Sequence, residues 1–157
     1  MIDDKNQIAF FLDARPVPKQ SFRASKWGGY QPKRVTDFKK LAEITAMNAA
    51  KSQGWKTADG PVRLELVFCF CCPKSARKTE KAVNRWHIKR PDLDNIEKSI
   101  TDGVACLMGD DSQVCSKASH KATVREGLPQ GIWVRVSELP PLAETDEPWM
   151  PTILMTT

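Results

Sequence analysis

Long apolar runs are missing from this chain. No segment of its 157 residues approaches the run of about 20 apolar residues that a membrane-spanning helix needs. The N-terminus, Met1-Ile2-Asp3-Asp4-Lys5, is acidic and lacks the apolar stretch of a secretory signal. Together these absences read as a cytoplasmic protein with no membrane partner. Metal–thiolate patterns are missing as well. The five cysteines are odd in number, and Cys69, Cys71 and Cys72 crowd one segment without C-x-x-C spacing. His87 and His120 do not stand at zinc-finger spacing either. Reduced, partly buried thiols are the better reading. Lys and Arg are absent from residues 138–157, which hold Glu138, Glu144, Asp146 and Glu147. The rest of the chain therefore sets 24 basic residues against 15 acids, net +9, within an overall charge of +5. That balance points to an anionic partner such as nucleic acid. Internal repeats are also lacking, and the length fits one domain with a real core.

What is present begins with Ile8-Ala9-Phe10-Phe11-Leu12, a compact apolar run that predicts a first strand. Pro16 and Pro18 end it. Between Arg15 and Lys40 stand eight basic residues and one acid, Asp37, with Phe22, Trp27 and Tyr30 interleaved and Gly28-Gly29 as a turn. Bases with aromatics suit contact with a sugar-phosphate backbone and stacking on unpaired bases. They equally suit an exposed loop anchored by its aromatics. Lys19, Arg23, Lys33 and Arg34 are the DNA-binding candidates here. Thr36 is the expected cap of a helix running to about Ser52, with Phe38, Leu41, Ala42, Ala46 and Ala49 on its buried face. Val62 to Phe68 alternates as a strand, and Ile132 to Val136 alternates as the last one. A strand from Gln113 to about Val124 is expected to lean on Val114, Ala118, Ala122 and Val124. Residues 74–90 hold seven bases and one acid with no apolar period, so they predict a flexible arm. Its Lys78, Lys81, Arg85 and Arg90 are further candidates to grip phosphates.

The densest chemistry lies in Arg90-Pro91-Asp92-Leu93-Asp94-Asn95-Ile96-Glu97-Lys98-Ser99-Ile100-Thr101-Asp102, followed by Gly109-Asp110-Asp111-Ser112-Gln113-Val114. Asp94 reads as a helix cap, with Glu97 completing a capping box. Ile96, Ile100, Val104 and Leu107 recur at helical spacing as a core-facing stripe. Asp94, Lys98 and Asp102 stand four apart on a polar stripe of the same helix. Asp92 and Asp94 at such a junction can converge on one hard cation, and Mg2+ prefers a few carboxylates plus water. Lys98 stands where it can orient a phosphate or neutralise developing charge. An Asp-x-Asp before a helix is most often a cap with a solvated neighbour. Here Asp110 and Asp111 follow at the helix C-terminus, where the dipole disfavours acids, and such a local cost hints at function.

The run R-P-D-L-D-N-x-x-K-x-x-x-D-G and the sequel G-D-D-S-Q-V resemble the signature of RusA-type Holliday junction resolvases, the phage and prophage crossover junction endonucleases. Pro16-Val17-Pro18-Lys19-Gln20-Ser21-Phe22-Arg23 and Tyr30-Gln31-Pro32-Lys33 resemble the phage branch of that family. The resemblance spans roughly residues 8 to 137. It implies catalytic, metal-binding carboxylates at Asp92, Asp94 and Asp111, an essential lysine at Lys98, and supporting acids at Asp102 and Asp110. It further implies Mg2+, with Mn2+ as a substitute, branched DNA as partner, and a bacterial or phage-infected cell as the setting.

The expected fold is α+β: one RusA-like domain over residues 1–138 with a mixed or mainly antiparallel sheet, two principal helices and the order β-α-β-α-β-β. Residues 139–157 form an acidic tail containing proline and tryptophan. The expected activity is Mg2+-dependent resolution of four-way junctions by paired symmetrical nicks. Two such nicks suit an intimate twofold homodimer. A straight, unbroken helix from Asp94 to Leu107 would span about 21 Å and keep Asp111 from Asp94 within one chain, whereas a shorter helix or one kinked at Gly103 would permit a site within one chain. Antiparallel packing of two such helices, through Ile96, Ile100, Val104 and Leu107 or through Ser99, Gly103 and Ala105, would complete each site across the dimer. Two other readings fit the same residues: a broader flap or fork nuclease, and a catalytically silent junction-binding module. Intact Asp92, Asp94, Lys98 and Asp111 argue against the second.

Overall fold

The computed structural model describes residues 6–20 and 23–141. The Ser21 and Phe22 assignments, and those made on the tail from Leu142 onward, lie outside the described residues. A five-stranded mixed sheet has the order β1-β7-β4-β6-β5. Strand β1 (Gln7–Leu12) pairs antiparallel with β7 (Gly131–Glu138), and β7 pairs antiparallel with β4 (Val62–Phe70). Strand β6 (Val114–Thr123) runs parallel to β4, which requires a long crossover, and the crossover carries helix α3 (Leu93–Gly103). The two-residue β5 (Arg85–Trp86) closes the edge against β6. The long helix α1 (Lys33–Gln53) joins the first strand to β4. The architecture is α+β in a single domain.

Alternation sorts the sheet into two faces. Ile8, Phe10 and Leu12 of β1, Val62, Leu64, Leu66 and Phe68 of β4, and Ile132, Val134 and Val136 of β7 are buried in one core. Helix α1 adds Val35, Phe38, Ala42, Ala46 and Ala49, and α3 adds Ile96 and Ile100. Burying each large side chain contributes about 1.5–3 kcal/mol. The two helices approach closely at Gly103, where an added Cβ would stand 2.7 Å from the Ala42 Cβ.

Several expectations are corrected. Helix α1 starts at Lys33 behind Pro32 rather than at Thr36, and Leu41 is 43% exposed because the turn that faces the core carries Ala42 instead. Helix α3 stops at Gly103. Ala105–Leu107 forms a separate 3-10 turn, so the helix spans about 16 Å rather than 21 Å. Asp92, not Asp94, is its N-cap residue. The face proposed for helix-to-helix contact between two chains is already filled: Ile96, Ile100, Val104, Leu107 and Ser99 are buried in the chain's own structure, and Gly103 lies against Ala42. The basic region after Leu12 contains a hairpin, β2 (Arg23–Ser25) with β3 (Gly28–Tyr30), whose turn is Lys26-Trp27 rather than Gly28-Gly29. Gly28 opens the return strand at φ 109, a conformation that favours glycine. The stretch read as a flexible arm holds the short helix α2 (Lys78–Lys81) as well as β5.

Candidate functional site

Asp92 precedes α3 in extended conformation at φ −69 and ψ 144, and its side chain makes no capping bond. Its carboxylate is therefore not engaged by the helix end. Asp94 lies in the first turn, where the helix dipole favours an acid. Lys98 donates to Asp94 at 3.4 Å, and the two side chains are 59% and 64% exposed. An ion pair that long and that open contributes little, so both groups stay available to a ligand.

Further along the helix, Asp102 accepts from Lys39 of α1 at 2.7 Å and from Lys19 at 3.0 Å. Lys19 also donates its backbone N–H to the Asn95 carbonyl at 2.9 Å. The segment before the hairpin is thus fixed across α3 at two points. Partial burial pushes the Asp102 carboxyl up, but the two lysines outweigh that and hold it below its ordinary value of 3.8. A lowered folded-state value means that the folded chain binds fewer protons, so this contribution to stability is present above the ordinary value and fades as pH falls through the folded one. Denaturant midpoints of the wild type and Asp102→Asn, compared from about pH 5 to pH 2, are expected to differ most at the upper end and to converge on acidification. A constant gap would show that the Asp102 charge is not what the lysines stabilise.

Asp111 is placed by a different set of bonds. Asp110 caps the 3-10 turn Asp111–Gln113 by accepting from the Ser112 N–H at 2.8 Å, and hydrogen bonding from the Ser112 side chain, with this backbone bond beside it, holds its carboxyl below its ordinary value. The Gln113 side chain accepts from the Asp110 N–H at 2.7 Å and donates to the Ala58 and Gly60 carbonyls, both at 2.9 Å. Trp55 donates to the Leu107 carbonyl at 2.9 Å from a buried indole. The chain after α3 is therefore anchored on the loop between α1 and β4.

Lys19, Lys98, Thr101, Asp102 and Asp111 line one groove of about 460 Å3, together with Val114 to Lys117 of β6. Asp92 and Asp94 are not among its lining residues. Among the described residues, no three carboxylate, thiol or imidazole side chains come together as a metal-binding group. One chain thus offers two carboxylates at the helix start and a third in the groove. All three are exposed oxygen donors, the type a hard cation takes.

The basic candidates divide. Lys33, Arg34, Lys78 and Arg90 are exposed. Arg23 lies on β2. Arg85 donates to the Glu80 carbonyl at 2.6 Å, and Lys81 meets the exposed Glu126 at 3.4 Å, a pair as loose as that of Lys98 with Asp94. The hairpin exposes Trp27 to 92%. Lys39 and Lys121 take their partners from other elements, so nothing local in the sequence marks them, and Lys117 lines the groove.

The family model described as Endodeoxyribonuclease RusA matches residues 13–137. No curated protein matches the chain.

Proposed function

The chain belongs to the RusA endodeoxyribonuclease family, a family of nucleases acting on Holliday junctions, and from that premise we propose that it resolves four-way DNA junctions by paired symmetrical nicks in a Mg2+-dependent reaction, with Mn2+ as a substitute. The observation that carries this reading is the groove that Lys98 shares with Asp111, set beside a helix whose start carries Asp92 and Asp94. Asp92, Asp94 and Asp111 are the residues that would hold the ion. When bound, Mg2+ neutralises phosphate charge and lets water act as a nucleophile near neutral pH. Lys98, held only loosely by Asp94, swings to the scissile phosphate and stabilises charge that builds there. Asp102 keeps Lys19 at the groove, and Asp110 holds the turn that presents Asp111. Lys33, Arg34, Lys78 and Arg90, with Arg23, supply backbone contact that reads charge rather than sequence.

The nuclease domain spans residues 1–138 in this proposal and works as a homodimer, because two symmetrical nicks call for two sites related by a twofold axis. Among the described residues Asp92, Asp94 and Asp111 do not form a three-ligand group, which favours sites completed by the partner copy. The protein acts on the DNA of a bacterial or phage-infected cell. No helix among the described residues is long and apolar enough to cross a membrane.

The test is cleavage of a fixed four-way junction, a fork, a flap and a linear duplex, side by side in Mg2+. The junction is expected to be cut by paired nicks at symmetrical positions while the duplex stays intact. Equal cutting of forks and flaps would make the protein a broader branched-DNA nuclease. Junction binding without cutting of any substrate would make it a binding module.

A further inference from the structure

The residues that lead into Asp92 are fastened to strand β6. Lys121 donates from Nζ to the carbonyls of Lys89 and Pro91, both at 2.7 Å. The Pro91 carbonyl belongs to the peptide that enters Asp92, so this contact is made on the bond that leads into the residue bearing the first carboxylate of the site. Two residues on, Thr123 Oγ1 meets His87 Nδ1 at 2.7 Å, and the His87 ring stacks on Phe70 with centroids 4.1 Å apart at 11°. The His87 backbone N–H donates to the Lys121 carbonyl at 3.0 Å. Residues 87–91 therefore form a strap tied to β6 at both ends.

The register explains why one strand makes both ties. Lys121 and Thr123 pair with Phe68 and Phe70 of β4, whose side chains are buried under the helices, so alternation puts all four on the same side of the sheet. Among the described residues, Lys121 enters no ion pair. An ammonium carries three donors, and here two of them go to main-chain carbonyls of the strap. A lysine used in this way fixes backbone rather than solvating a surface.

We propose that Lys121 is a positioning residue for strand cleavage. It holds the Lys89 and Pro91 carbonyls and so sets where the Asp92 carboxylate is presented to the divalent ion, while His87 and Thr123 fix the other end of the strap. This rests on the reading of Asp92 as a metal-binding carboxylate. Reaction geometry of this kind tolerates displacements well under 1 Å.

The experiment compares Lys121→Met, which keeps the stem and removes the donors, with Thr123→Val, which loosens only the His87 tie, and with Asp92→Asn as reference. Three quantities are read: single-turnover cleavage of a four-way junction, junction affinity without divalent metal, and Mn2+ affinity by calorimetry without DNA. Lys121→Met is expected to lower both cleavage and Mn2+ affinity by about 10- to 100-fold, as losses of groups that orient metal-binding side chains do. Its junction affinity stays unchanged, and excess Mn2+ recovers part of the rate. Thr123→Val moves the same two quantities in the same direction by less. Wild-type cleavage and Mn2+ affinity in Lys121→Met, with Asp92→Asn inactive, would overturn the proposal and leave the site intact. A loss confined to junction affinity would overturn it too, making Lys121 a phosphate contact. An active Asp92→Asn would instead remove the site reading itself. Should Lys121→Met fail to fold, Thr123→Val decides: unchanged Mn2+ affinity and cleavage there sink the idea.

Discussion

Asp92→Asn and Asp111→Asn are each expected to abolish junction cleavage while leaving junction binding intact. Each substitution keeps the size of the side chain and removes one anionic oxygen donor from the proposed metal site. Divalent-ion stabilisation of a phosphoryl transfer is worth several kcal/mol, so losing it slows the reaction by about a thousandfold or more. Neither residue is buried, and the Asp92 side chain makes no capping bond, so the fold has little to lose at either position. Binding survives because the affinity comes from the basic surface, which neither change touches. Single-turnover cleavage in Mg2+, run beside a gel-shift titration without metal, separates the two effects. Near wild-type cutting by either variant would remove that residue from the site. Loss of binding together with cutting would mean that the carboxylate shapes the DNA surface instead.

The family was more legible in the sequence than the geometry was. Asp94 and Lys98 stand at helical spacing, which needs no tertiary partner to be noticed, but Asp92, Asp94, Lys98 and Asp111 are singled out together only by the resemblance to RusA-type resolvases, and their roles are proposals. The middles of β4 and β7 follow from alternation, which breaks at their ends, where Phe68 to Phe70, Gly131 with Ile132, and Val136 with Ser137 are buried in succession. The hairpin Arg23 to Tyr30 escaped notice because it carries no apolar alternation: β3 is exposed at every position. Strand β5 is two residues long, and its partner β6 lies far along the chain, so no local pattern marks it. The end of α3 was misplaced for a similar reason. Val104 and Leu107 continue the apolar period past Gly103, but the helix stops there and those side chains are buried from a turn of different pitch. The two lysines on Asp102 come from the segment before the hairpin and from α1, and the Lys39 bond closes a separation of 63 residues. Only the folded chain shows that Asp102 anchors elements, whereas the same spacing on paper suggested a mere third member of a polar stripe.

Mixing an Asp94→Asn chain with an Asp111→Asn chain is expected to restore nicking that neither chain has alone. The stop of α3 at Gly103 shortens the helix to about 16 Å, and Asp92, Asp94 and Asp111 still do not form a three-ligand group among the described residues. Asp111 lines the groove beside Lys98 and Asp102, while Asp92 and Asp94 sit at the other end of the helix and outside the groove lining. Ligands of one Mg2+ must each lie about 2.1 Å from it, a convergence that the described residues of one chain do not achieve. If the partner copy supplies Asp111 to the Asp92 and Asp94 of its neighbour, a mixed dimer holds one intact site and one doubly damaged site. It then nicks one strand of the junction without completing resolution. If each site lies within one chain, both sites of the mixed dimer carry a lesion, and the mixture stays silent. The readout is the ratio of nicked junction to resolved duplex after refolding the two chains together. Activity from either homodimer alone would void the comparison in favour of a site that does not need that carboxylate. The contact between copies must use a surface other than the apolar face of α3, because Ile96, Ile100, Val104 and Leu107 already pack inside their own chain.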